Sequence, residues 1–443
     1  MSFDLGPIRE ALDGGSRQQL TAVLGELHPA QIADMLESLP PRERAQLWAE
    51  VDEAVSGDVL AELNDEVRAN LLEAMDVAEV VAAARGMETD DLADVVADLS
   101  TDIAPQVIDA LPDDAQERLQ SVLAFPEDCA GGLMDPDTIS VRQDERLADV
   151  QDALRRDGRL PDKTDAIFVV DRNGVYLGVL YVARLIVRDP QSRVRDVMDT
   201  SVEAFTSDCA TDKVSKDFRD RDLVTAPVTD ASGRLIGQIT VDDVVDLIQE
   251  QAEHDILSMA GLDEEDDMFA PVVTSAQRRA IWLGVNLATA FLAAGVVAFF
   301  KPTLDKVVIL AVLMPVVASM GGIAGSQTLT LMIRGLAMGR VQNSNARWLL
   351  IKELAVGSLN GIAWALIVAA VTAFLFSTWK VGLVIGAAIT INLFAAALAG
   401  FAIPLILKKL RIDPALAGSV ILTTVTDVVG FVAFLGLGTL FLL

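Results

Sequence analysis

The chain changes its hydrophobic grammar twice. Up to about residue 125, apolar positions recur three and four apart in short stretches punctuated by Pro and Gly, which predicts short amphipathic helices. Ile32-Ala33-Asp34-Met35-Leu36-Glu37-Ser38-Leu39-Pro40 is echoed sixty residues later by Leu92-Ala93-Asp94-Val95-Val96-Ala97-Asp98-Leu99, and Leu111-Pro112 repeats the Leu39-Pro40 break. Self-similar helical pairs predict a small α-superhelix. Over 126–250 the period changes. Ile167-Phe168-Val169-Val170 reads as a strand, followed by Asp171-Arg172-Asn173-Gly174, a second strand through Gly178 and a helix. The same order returns 59 residues later as Ala226-Pro227-Val228-Thr229, Asp230-Ala231-Ser232-Gly233 and Gln238-Ile239-Thr240. The Asn-Gly or Ser-Gly pair turns a hairpin, and the next Gly lets the second strand approach its neighbours closely. Beyond residue 278 the runs lose their charges: 280–300, 307–333, 354–379 and 381–407 are charge-free, and 414–443 is interrupted only by Asp427. About 20 apolar residues cross a hydrocarbon core of roughly 30 Å, so five transmembrane helices are expected.

Charge divides the chain at the same place. The 443 residues carry a net charge of −29, yet the mean hydropathy is positive. Residues 278–443 hold 12 Lys/Arg and 4 Asp/Glu, a net of +8, which leaves 23 basic and 60 acidic residues, a net of −37, for 1–277. Such a domain repels phosphate, which excludes a nucleic-acid partner. Arg278, Arg279, Arg334, Arg340, Arg347, Lys352, Lys408, Lys409 and Arg411 fall on one side of the spans, against Lys301, Lys306 and Lys380 on the other. The positive-inside rule puts the former in the cytoplasm, with the acidic half, and the C-terminus outside. The opening residues lack a basic, apolar-cored signal, which agrees with a cytoplasmic N-terminus. Cys129 and Cys209 make neither a disulfide framework nor a zinc spacing, as expected in a reducing compartment.

Asp427 is the one carboxylate deep inside an apolar run, and an intramembrane acid is a functional candidate by default. Ser419, Thr423 and Asp427 are spaced four apart, share one helix face and offer only oxygen, which suits a hard, hydrated cation. The structural alternative is a protonated Asp bonded to a neighbouring helix, with the hydroxyls turned to their own preceding carbonyls. In the second span, Pro315 and the Gly321-Gly322-Ile323-Ala324-Gly325-Ser326-Gln327 stretch fit either tight packing or a broken helix near a cavity. Asn360 and Asn392 read as interhelical hydrogen bonds, and His28 and His254 as lone surface residues. No phosphate loop, His-Glu-x-x-His or nucleophile elbow is present, so an enzyme is not expected.

The 59-residue repeat resembles a tandem pair of CBS modules. Such pairs often bind adenine nucleotides through Thr-x-x-Asp after the second strand, so ATP is a candidate ligand. Thr240 and Asp243 fit that pattern in the second copy, whereas Tyr181 and Arg184 stand at the corresponding positions of the first. Phe125-Pro126-Glu127-Asp128-Cys129-Ala130-Gly131-Gly132-Leu133-Met134 resembles the CBS entry of the MgtE magnesium transporters. Ala252-Glu253-His254-Asp255-Ile256 with Ala260-Gly261-Leu262 resembles their plug helix, and Asp413-Pro414-Ala415-Leu416-Ala417 through Thr423-Thr424-Val425-Thr426-Asp427 their fifth span. The resemblance implies a multidomain membrane protein. Its parts are an all-α superhelical N domain (1–125), an α/β CBS pair (126–250, dividing near 190), a plug helix with linker (251–277) and a five-helix transmembrane domain (278–443).

It further implies a homodimeric magnesium channel of the bacterial inner membrane, embedded in lipid, and implies no obligatory protein partner. By that resemblance Asp427 binds hydrated magnesium, with Ser419 and Thr423 on the pore wall. Asp90, Asp94, Asp243, Asp246 and Asp255 match regulatory magnesium positions, and Glu353 and Asp413 match the membrane boundary. The chain departs from the family pattern at Ile323 and Ser326, where Asn is common, and at His254, where Glu is common. Two copies of a −37 domain repel each other until divalent ions bridge them, so rising cytosolic magnesium is expected to close the channel. The competing expectations are a cation-coupled divalent-metal exporter using Asp427 as carrier, and a CBS-regulated membrane sensor without transport.

Overall fold

The computed structural model describes Gly6, Ile8, Arg9 and residues 17–158, 160, 164–262, 267–342 and 344–443. They form two compact units. One runs to Gln251 and also takes in the short segment that ends at Ala270. The other holds the stretch that begins at Ala252 and everything from Pro271 to Leu443.

The first unit opens on short helices: α1 (Arg17–Leu24), α2 (Pro29–Glu37), α3 (Pro41–Trp48), α4 (Ser56–Ala61), α5 (Asp65–Leu72), α6 (Val77–Ala84), α7 (Thr89–Asp98), α8 (Ala104–Ala110) and α9 (Asp113–Leu123). Caps fix several starts. Asn64 accepts from Val67 N, and Asp76 with Glu79 closes a capping box. His28 is not an idle surface residue either, because it caps α2 together with Gln31. The echoed stretches become α2 and α7, whose stripes Ile32, Met35, Leu36 and Leu92, Val95, Val96 share one core. Where α2 ends at the Leu39-Pro40 break, its orphan carbonyls need donors. Arg44, only 1% exposed, supplies them: Nε donates to Leu36 O at 3.0 Å and Nη2 to Leu39 O at 3.1 Å. The same Nη2 lies 2.9 Å from Oδ2 of Asp267, far along the chain and equally buried. The returning segment is thereby pinned to the helical domain.

Two three-stranded sheets follow. The first is β1 (Ser140–Arg142) parallel to β2 (Ala166–Val170), which is antiparallel to β3 (Tyr176–Tyr181); between and after these strands lie α10 (Leu147–Asp157), α11 (Val182–Val187) and α12 (Val194–Val197). The second is β4 (Phe205–Thr206), β5 (Thr225–Thr229) and β6 (Leu235–Thr240), with α13 (Thr211–Arg221) after β4. The repeat extends to the irregularities, since both hairpins carry a bulge at the matching step, Val169/Val170 and Val228/Thr229. A Cβ on Gly178 would strike the Asp199 carbonyl and one on Gly237 the Met134 side chain, so the strand glycines do permit close approach. The hairpin turns pair with each other, Tyr176 N donating to Gly233 O and Leu235 N to Gly174 O, both at 3.0 Å. From β6 the chain enters α14 (Val241–Ser258), one continuous helix across the boundary expected at 250/251. The start of that helix belongs to the CBS pair and its end to the second unit.

In the second unit α14 closes at Gly261, whose left-handed backbone sits against the Trp282 ring, while Met259 packs against the buried cluster that includes Leu329, Ile333, Leu407 and Ala415. Five long apolar helices make up the rest: α15 (Val272–Phe299), α17 (Ile309–Ala337), α18 (Ala346–Phe376), α19 (Trp379–Lys409) and α20 (Pro414–Leu442). Most begin before or end after the charge-free runs, because helical hydrogen bonding continues into the polar interface where Arg and Lys are tolerated. The expected outer loop at 301–306 is itself a short helix, α16 (Lys301–Lys306), tied to α20 by a 2.7 Å bond between Thr303 and Thr439 hydroxyls. Helix α17 is unbroken despite Pro315, which decides the glycine question for packing. Gly325 meets Leu422 of α20, and Gly400 of α19 lies on the Gly325 carbonyl. Helix α19 is the most enclosed and forms the centre of the unit.

Candidate functional site

Two sets of carboxylates stand out, one in each unit. In the first unit α7 begins with Glu88, Asp90 and Asp91, each bringing an oxygen within 4.8 Å of the others. Asp90 is 9% exposed, and its Oδ1 is buried without a hydrogen-bond partner. From the CBS side Asp135 and Asp243 add their charge to it. Burial, then repulsion from Asp243, Asp91, Asp135 and Glu88, pushes Asp90 well above the usual carboxylate range. Asp243 is also raised by burial, against the two bonds it accepts from Thr240, from N at 3.0 Å and Oγ1 at 2.8 Å. Asp135 is pushed up to about 6 by burial, against the bond it accepts from Asp137 N at 2.9 Å, with the charges of Asp137 and Glu88 adding to the rise. A crowd of desolvated oxygens short of counter-charge is the environment a hard divalent cation relieves. Glu88, Asp91 and Asp135 escaped the sequence reading. Three acids in Glu88-Thr89-Asp90-Asp91 and the Asp135-Pro136-Asp137 triplet were the available signals.

Asp94, one turn further along α7, belongs to a different neighbourhood. Arg68 donates to Asp98 and Asp65 and lends its charge to Asp94. Burial still raises Asp94 to about 6, with Glu127, Asp65 and Asp98 opposing its ionisation. This second cluster carries its own cation. Glu250 is raised to about 7 by burial and then by Asp65, Asp94 and Asp246, which links Asp246 to the same neighbourhood. Thr240 and Asp243 are bonded to each other at the start of α14. In the first CBS copy Arg184 is held by Asp199 at 2.8 Å and lies over the Tyr181 ring, so that position is filled by side chains.

In the second unit the boundary residues have local tasks. Asp413 caps α20, accepting from Ala415 N and Leu416 N at 2.9 Å each. His254, expected to be a lone surface residue, instead places Nε2 3.5 Å from Asp413 Oδ2. Asp255, beside it, is half-buried. Glu353 is 5% exposed and paired, 2.6 Å from Lys352 Nζ and 3.3 Å from Thr328 Oγ1. Deeper in α20 the Ser419, Thr423 and Asp427 face is present. Thr423 Oγ1 donates back to Ser419 O at 2.9 Å, leaving its lone pairs outward. Asp427 is half-buried and has no hydrogen bond or ion pair among the described residues. Asn360 is exposed rather than bonded between helices, whereas Asn392 is fully enclosed and donates to Val317 O at 2.9 Å.

Comparison with known proteins covers nearly the whole chain. The MgtE profile, described as a divalent cation transporter, matches residues 314–437; the MgtE intracellular N domain matches 27–128, and the CBS domain 130–188 and 194–250. The chain is 29% identical over 440 residues to the magnesium transporter MgtE of Thermus thermophilus, covering 98% of each protein. It is 25% identical over 431 residues to the magnesium transporter MgtE of Bacillus subtilis, covering 97% of this chain and 96% of that protein. Among solved structures, the cytosolic domain of the Mg2+ channel MgtE in complex with ATP aligns with a TM-score of 0.51 and 30% identity, over 54% of this chain and 98% of that one.

Proposed function

The chain belongs to the MgtE family of magnesium transporters, and we propose that it conducts magnesium through the bacterial inner membrane as a homodimeric channel closed by cytosolic magnesium. The observation that carries conduction is Asp427, an unpartnered carboxylate midway along an apolar helix on a face of oxygen atoms. In a dimer two such carboxylates approach each other, and like charges that close do not both ionise cheaply without a cation between them. Magnesium sheds water reluctantly, so the pore holds it through its hydration shell, with Ser419 and Thr423 facing that shell.

Closure rests on the buried acids of the cytoplasmic unit. Magnesium between Asp90 on the helical domain and Asp135 and Asp243 on the CBS pair favours the arrangement that brings them together. Asp94 and Asp246 strengthen the negative field. Asp413 and Glu353 at the membrane boundary take a cation only by giving up their bonds to α20 and to Lys352, with Asp255 next to His254 in sequence. The excess of cytoplasmic Lys and Arg supports an N-terminus inside and a C-terminus outside. ATP at Thr240 and Asp243 is a regulatory ligand, and its binding requires Asp243 to give up its bonds to Thr240.

Magnesium uptake into proteoliposomes holding the full chain tests the conduction reading. Asp427→Asn keeps size and one carbonyl oxygen, so the expected result is a folded dimer that loses magnesium selectivity and shows weaker divalent block of sodium current. Asp427→Glu, with its charge displaced by one methylene, is expected to impair selectivity more than conduction. Unaltered magnesium selectivity in Asp427→Asn would move the central site elsewhere.

A further inference from the structure

Three membrane helices meet at one side chain. Asn392 of α19 is fully buried and donates from Nδ2 to the Val317 carbonyl of α17 at 2.9 Å. Gly321, one turn further along α17, lies against the same amide, and a Cβ there would overlap Nδ2, Cγ and Oδ1 together. Gly430 of α20 does likewise, with a Cβ falling 2.7 Å from Nδ2 and 3.1 Å from Cγ. Two backbones from different helices therefore rest on one thin, planar group. The amide's Oδ1 is buried and makes no hydrogen bond, so the side chain is not there to complete a polar network.

We propose that Asn392 is a positioning residue for conduction: it spaces α17 and α20 and thereby sets where Asp427 stands in the ion path. The register makes this specific. Gly430 follows Asp427 by one turn on α20. On the other side of Asp427, Leu422 is received by Gly325 of α17 and Gly418 by Leu329. The carboxylate is bracketed by close contacts, apolar ones before it and the Asn392 amide after it. A branched side chain at 392 is thicker than the amide and separates the two glycines; a methyl lets them collapse together. A pore that holds an ion through its water shell depends on wall spacing, so either change alters the fit before it stops conduction.

The inference rests on the proposed passage of magnesium past Asp427, and its test keeps the two apart. The full chain is reconstituted in planar bilayers, sodium current is recorded without divalents, and magnesium is added until the current halves. Asn392→Ala and Gly430→Ala are each expected to carry sodium and to raise the half-blocking magnesium concentration about tenfold. In the double variant the new methyl occupies room the amide vacated, so most of that shift is expected to disappear. Should Asn392→Ala fail to insert, Asn392→Ser, smaller than Asn and still polar, carries the same expectation. Normal block in the single variants, or shifts that simply add in the double, would overturn the assignment. Normal block in Asp427→Asn would overturn the conduction reading itself, and the spacer role with it.

Discussion

Replacing Asp90 by Asn separates the charge of the buried acidic cluster from its shape. Burial and four neighbouring carboxylates hold Asp90 far above its usual range, and burial with Asp242 and Glu88 raises Asp243 by less, which favours a proton retained on Asp90 near neutral pH. Magnesium binds the ionised form and must displace that proton. One proton released per chain makes the affinity rise about tenfold per pH unit, roughly 1.4 kcal/mol, with weaker binding at the acid end where protons compete. Asp135, at about 6, contributes a second proton as the pH falls below neutrality. Asn is close in shape to a protonated Asp, so Asp90→Asn is expected to leave the fold intact at pH 7, bind magnesium more weakly and flatten the pH slope. Titration calorimetry of the full chain in detergent, run at pH 6 and pH 8 in buffers of different ionisation enthalpy, measures affinity and proton release together. Equal affinities at the two pH values with no buffer dependence would refute the idea that this cluster is where regulatory magnesium binds.

Without magnesium, Asp135 holds its proton more tightly folded than unfolded, so the stability it contributes is complete below its usual value of 3.8 and is lost as pH rises through about 6. The loss amounts to about 3 kcal/mol, read as a falling melting temperature that magnesium reverses; a flat profile would count against it. Arg44→Ala leaves Asp267 buried without its partner and is expected to cost about 3–5 kcal/mol in thermal unfolding, whereas a change under about 1 kcal/mol would mean the segment is held by other contacts. For topology, a cysteine introduced within 301–306 should react with an impermeant reagent from outside and one within 340–346 should not, reversed labelling being the contrary result.

The membrane helices and the CBS repeat were legible because their signals are local: unbroken apolar runs, and a 59-residue echo that extends to the glycines. Burial is not local, and there the sequence was silent. Among sixty acids, nothing marked Asp135 as a companion of Asp90, and only the family resemblance set Asp243 beside it, since the chain separates all three and the fold reunites them. Asp94 looked equivalent to Asp90 until Arg68 was seen beside it. His254 read as solvent-facing because its partner Asp413 lies at the far end of the membrane unit's sequence. The expected 250/251 division falls inside α14, one residue before the step between the two compact units, because helical hydrogen bonding runs straight across a change of domain.

The route of the chain from α14 to α15 has a consequence for how firmly the end of α14 must be held. The stretch beginning at Ala252 belongs to the second unit, while the chain on either side of it belongs to the first, through α14 before it and the Arg44–Asp267 pair after it. A segment tethered twice never diffuses away, and short tethers give local concentrations on the order of millimolar. Contacts as modest as His254 on Asp413, Met259 among apolar neighbours and Gly261 under Trp282 therefore suffice to keep it seated. Chain connectivity thus supplies occupancy that the contacts themselves need not.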